Sequence, residues 1–148
     1  MSRLWLRLGV AIMLACLAFG MAVQISSAAG TDVSSSADSC KNIVADQHDS
    51  IKLGKTQSVI QGLDISKYTS VKYIISSRND SPTRVRSELT FYGGTYRGTD
   101  LAYAFPGETT VKTFLTNSSP KLDVQIYSYS EGDRNAHNNV TVNVEGCK

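Results

Sequence analysis

Apolar and polar residues alternate with a period of two through most of the chain after Cys40, most clearly from Val71 to Tyr92. In that stretch Val71, Tyr73 and Ile75 share one phase, and beyond a polar break at Asn79-Asp80-Ser81-Pro82 so do Val85, Ser87, Leu89 and Phe91. Side chains two apart point to the same face of a strand, so each run offers one apolar face to a core. Asn79, Asp80 and Ser81 can bond their own backbone and Pro82 fixes φ, so the break reads as a β-hairpin turn or a sharp strand-to-strand corner.

The pattern continues on both sides. Ile43 with Ala45, Ile51 with Leu53, and Val59 with Ile60 mark weaker early strands, while Leu63 to Tyr68 develops no helical stripe and reads as a connection or a single helical turn. Gly93-Gly94 signals a turn, after which Leu101, Tyr103 and Phe105 alternate with Ala102 and Ala104 until Pro106-Gly107. Val111, Thr113 and Leu115 then alternate with Thr110, Lys112 and Phe114. Leu122, Val124 and Ile126 oppose Asp123, Gln125 and Tyr127, and Val140, Val142 and Val144 oppose Thr141, Asn143 and Glu145. Short strands separated by turn signals, without a helical stripe, predict an all-β fold: an antiparallel β-sandwich of about seven to eight strands, with jelly-roll or other Greek-key topology.

The first residues follow a different rule. Arg3 and Arg7 precede an apolar run from Leu8 to Val23 and then Ser26, Ser27, Ala28 and Ala29, the layout of a secretory signal peptide cleaved after Ala29 or Ala28. An uncleaved anchor is the competing reading, but the run falls short of the roughly 20 apolar residues that span a bilayer. Residues 1–29 are therefore expected to be a signal peptide, 30–39 a polar flexible lead-in, and 40–148 a single domain with no stable membrane insertion once the signal is cleaved. Cys16 follows Leu14-Ala15, a poor match to the bacterial lipobox, and reads as part of the signal's apolar core.

Charge and cysteines sharpen the picture. Of 15 basic residues Arg3 and Arg7 leave with the signal, so 13 remain against 13 acidic ones, and the neutral domain gives no support to a nucleic-acid partner. Arg84, Arg86 and Glu88 share one strand face and read as a solvated, mixed-charge surface. Cys40 and Cys147 sit at the two ends of the domain in an exported chain, which predicts a disulfide fastening the first strand to the last. The expected location is secreted or in the cell envelope.

Candidate chemistry is sparse, and no cofactor is expected. Gly54-Lys55-Thr56 resembles the end of a phosphate-binding loop, but the earlier glycine is Asp49 and no helix follows. A small extracellular hydrolase would have to use His48, flanked by Asp46 and Asp49, or His137, and neither lies in a nucleophile motif. The loop Glu131 to Asn139 offers Asp133, Asn135 and Asn139 as oxygen ligands for an irregular calcium site, against a plain solvated loop, and it departs from the EF-hand spacing. Tyrosines give the remaining lead: Tyr92 and Tyr96 bracket the glycine turn, and Tyr127 and Tyr129 point away from Val124 and Ile126. An apolar ring with a polar tip suits sugar stacking or a protein interface, although tyrosine is also common in strands for packing alone. The expectation is an exported, non-enzymatic module recognising a glycan or an extracellular protein through these four tyrosines. Alternatives are the hydrolase, a structural envelope component, or an inhibitor of a secreted enzyme.

Overall fold

Period-two alternation becomes eight strands in the computed structural model, which describes residues 39–148. The expected signal peptide and the lead-in up to residue 38 lie outside the described residues. The strands are β1 (Lys41–Lys52), β2 (Thr56–Asp64), β3 (Ser70–Ser77), β4 (Val85–Tyr92), β5 (Gly98–Ala104), β6 (Thr109–Leu115), β7 (Lys121–Ser128) and β8 (His137–Cys147). They form two four-stranded antiparallel sheets, ordered β1-β8-β3-β6 and β2-β7-β4-β5. Successive strands change sheet at every connection except the β4–β5 hairpin, which is the jelly-roll arrangement.

The break at Asn79-Pro82 is therefore a corner between sheets and not a hairpin, because β3 and β4 belong to different layers. Leu63 and Asp64 end β2, and only the residues after them form the turn, where the Tyr68 amide donates to the Ile65 carbonyl. Ala45 is exposed: register shifts between Asn42 and Gln47 and a positive φ at Asp46 mark a bulge that upsets the alternation. The Asn143 side-chain oxygen accepts from the Asp46 amide at 2.6 Å and holds that bulge.

Between the sheets, Val71, Tyr73 and Ile75 meet Val85, Leu89 and Phe91, with Leu122, Val124 and Ile126 and the valines of β8 completing the core. Tyr73 shows how the two layers fit: it is fully buried and its hydroxyl lies 2.8 Å from the Ser87 hydroxyl on the opposite sheet. Ser87 pairs in register with Ala102, so small residues on β4 and β5 leave the volume that the tyrosine ring needs. In consequence Ala102 and Ala104 face inward, while Leu101, Tyr103 and Phe105 are 39%, 37% and 47% exposed. The expected disulfide is present: Cys40 bonds Cys147, joining the start of β1 to the end of β8.

Candidate functional site

The outward side of the sheet β2-β7-β4-β5 brings aromatic and charged side chains side by side. Registers place Arg86 of β4 directly between Tyr127 of β7 and Tyr103 of β5, with Thr56 of β2 on the far side of Tyr127. One row along, Glu88 lies between Gln125 and Leu101. Residues opposite one another in an antiparallel pair share a face, so these side chains form a continuous surface across the sheet.

Stacking organises that surface. The Arg84 guanidinium carbon sits 4.4 Å from the centre of the Tyr129 ring, and that of Arg86 sits 5.5 Å from the centre of the Tyr127 ring. The two tyrosine rings meet edge to face at 5.0 Å. A guanidinium over an aromatic face is attracted by the ring quadrupole and held flat, which limits its rotation. Arg84 and Arg86 are thus fixed against tyrosines, and do not form the freely solvated charge pattern expected from their spacing. Neither forms an ion pair among the described residues, where Lys72–Glu145 and Arg78–Asp80 do. The Arg86 Nε is buried without a hydrogen-bond partner, and the arginine side chain is one wall of a cleft of about 90 Å³ that Thr56, Glu88, Gln125 and Tyr127 also line.

A buried polar cluster supports the Arg84–Tyr129 end. Asn138 is fully buried; its side-chain nitrogen donates to the Thr83 and Ser128 hydroxyls, and its oxygen accepts from the Thr83 amide at 3.1 Å. Thr83 Oγ1 in turn donates to the Tyr129 carbonyl at 3.1 Å, so the backbone at both stacked residues is tied to one satisfied network. The alternation alone does not single these residues out as a site. Their signal was a polar side chain in an inward phase, Asn138 before Val140 and Ser128 after Ile126.

The four expected tyrosines separate into two groups. Tyr92 shares the outward face with Arg86 but lies six positions further along β4, about 20 Å away. Its hydroxyl donates to Asp123 at 3.0 Å, and that bond, with a smaller effect of burial, raises its pKa above the usual tyrosine range. Tyr96 stands on the β4–β5 loop, where its carbonyl accepts from the Ser119 hydroxyl at 3.1 Å. The Gly93-Gly94 turn packs against Ser118 and Pro120, and a Cβ on Gly94 would come within 2.7 Å of the Ser118 carbonyl. Beside this loop a cleft of about 500 Å³ opens between the β2–β3 and β6–β7 connections. Several of its hydroxyls are already engaged: Thr116 Oγ1 donates to the Tyr68 carbonyl and Ser119 to Tyr96.

Other expected residues are also accounted for. His48 Nδ1 lies 2.8 Å from the Thr141 hydroxyl, while the neighbouring Asp49 carboxylate accepts from Gln47 and Gln57. His137 opposes Lys52, four register positions from His48. Asp133 accepts from the Asn135 amide in an Asx turn, whereas the Asn139 backbone bonds Ser81. No cluster of three or more His, Cys, Asp or Glu suited to a metal ion occurs among the described residues.

No protein-family model matches the chain, and no curated protein matches it. Among solved structures, one from Bacillus endospore appendages, described as a novel family of disulfide-linked pili, overlaps 72% of this chain and 90% of its own, at 12% identity and a TM-score of 0.39. The jelly-roll topology is read from the strand order itself.

Proposed function

We propose that the chain is an exported, non-enzymatic β-sandwich module that binds an extracellular partner, a glycan or a protein, through the outward face of β2-β7-β4-β5. The observation that carries this reading is the pair of arginines stacked on Tyr127 and Tyr129 beside the exposed rings of Tyr103 and Phe105. These large apolar side chains keep 37% and 47% of their surface exposed while alanines fill the core beneath them, and a partner that covers the remaining area would gain its burial. Tyrosine and arginine are the residues on which binding surfaces concentrate their affinity. The disulfide supports an oxidising compartment outside the cytosol.

The test compares the native chain with Tyr103→Ser and Tyr127→Ala variants on a glycan array and in pull-downs from the producing organism. Retention of a ligand by the native chain, weakened about tenfold or more in either variant with an unchanged circular-dichroism spectrum, is the expected result. An empty array together with an empty pull-down would overturn it.

A further inference from the structure

Resting on the binding-face reading, we propose that the ligand is an acidic polysaccharide whose carboxylate or sulfate groups are gripped by Arg84 and Arg86. Charge is the first reason. Both guanidiniums lack an ion-pair partner among the described residues, and stacking leaves their N–H edges free to donate to a forked anionic acceptor. Arg84 immediately precedes β4 and Arg86 lies on it, two residues and about 7 Å further along, so a chain bearing repeated anionic groups can engage both.

Arg86 Nε adds a more specific signal. A buried donor without a partner costs free energy, and here it belongs to a side chain that forms one wall of the small cleft, the others being Thr56, Glu88, Gln125 and Tyr127. The cleft is small, and the Thr56 hydroxyl, Gln125 amide and Glu88 carboxylate around it suit the hydroxyls of a sugar ring, while the anionic group of the ligand falls to the guanidinium N–H edges outside it. Tyr103 and Phe105, exposed beside Arg86 and just beyond β5, supply apolar ring faces of the kind that pack on sugar C–H groups. A protein partner is less well matched, because binding hot spots in protein interfaces fill well-packed, desolvated pockets, and this face offers a shallow sheet with a polar cleft. The neutral overall charge of residues 30–148 makes the local arginine pair, rather than bulk attraction, the source of selectivity.

Affinity electrophoresis of the purified chain through gels containing polygalacturonate, dextran sulfate or neutral dextran tests the idea. Retardation by at least one acidic polymer and not by neutral dextran is expected, and the polymer that acts tells carboxylate from sulfate. Arg84→Gln and Arg86→Gln should each weaken it about tenfold, with Arg86→Lys intermediate because charge remains while the fork is lost. Lys67→Gln, which removes equal charge at the other end of the sandwich, should leave retardation unchanged. Equal loss in Lys67→Gln and the arginine variants would reduce the effect to non-specific charge and overturn the proposal. So would retardation by neutral dextran alone, or none by any polymer. In those cases a ligand from the array or pull-down that is still lost in Tyr103→Ser would leave the binding-face reading standing, and its absence would end both.

Discussion

At the scale of single residues, the chain's polar side chains matter most where they fall in an inward phase. Ser87 is legible as such because it interrupts an apolar series, whereas Asn138 sits at the end of a polar loop and does not stand out, and the partners of both, Tyr73 and Thr83, are reached only through the opposite layer or a loop. Tyr73 gives the clearest prediction. Burial of its ring raises the hydroxyl's pKa well above the usual value near 10, against a smaller lowering by the bond to Ser87. A folded-state pKa above the unfolded one means that the native chain holds its proton longer. The stabilisation is complete below about pH 10 and is lost as pH rises further, by up to about 1.4 kcal/mol per pH unit. Tyr73→Phe should cost about 1–2 kcal/mol at neutral pH by leaving the Ser87 hydroxyl unpaired, and should flatten the alkaline decline. Urea unfolding of both proteins at pH 7, 9 and 11 checks it; parallel curves at all three values would show that Tyr73 does not govern alkaline stability.

At the scale of strands, the faces of β3, β4, β7 and β8 could be read directly because apolar and polar residues alternate cleanly. β5 and β6 could not, because Leu101 to Phe105 is apolar in both phases and in β6 Phe114 opposes Val111 and Leu115; only the tyrosine arriving from the other sheet decides that the alanines of β5 go inside. The same limit hid the stacked arginines, since β4 and β7 are distant in the chain and only their register brings Arg86 to Tyr127. Edge strands show a further device. On one side of the sandwich Gln47 of β1 donates to the Val59 carbonyl of β2; on the other, Lys112 and Thr110 of β6 donate to the Leu101 and Tyr103 carbonyls of β5 at 3.1 and 2.7 Å. These bonds occupy edge acceptors that would otherwise pair with another strand, and a lysine on an edge discourages such pairing. Lys112→Val should keep the β-rich circular-dichroism spectrum yet promote association, because it frees the Leu101 carbonyl and extends the apolar run around Val111. Sedimentation velocity over a range of concentrations would reveal oligomers absent from the native chain, and identical profiles would count against edge protection by this residue.

At the scale of the whole molecule, eight strands in two sheets and a bond between the terminal strands followed from alternation, turn residues and two cysteines. Strand order did not, because nothing local says which sheet a strand joins after each corner. The disulfide now has a definite place: Lys41 already pairs with Gly146, so the Cys40–Cys147 bond extends the β1–β8 ladder by one step. Space is tight there, since a Cβ on Gly146 would lie 2.5 Å from the Tyr68 ring. The half of β1 nearest the disulfide is the half with two register shifts and the exposed residues Lys41, Asn42, Ala45 and Asp46, whereas the far half buries Ile51 against the core. Two consequences of reduction can therefore be separated. Freeing a span of 107 residues raises the entropy of the unfolded chain and should lower global stability by roughly 4 kcal/mol. In the native state, loss of the anchor should release only the bulged half of β1, where Ile43 and Val44 pack against the core but are only partly buried. Amide hydrogen exchange of the reduced protein should then accelerate from Lys41 to Gln47 while Val140 to Val144, paired on both sides by β1 and β3, stay protected. Acceleration spread equally through β8 would mean that the disulfide holds the sheet together, and that β1 is not a separately opening edge.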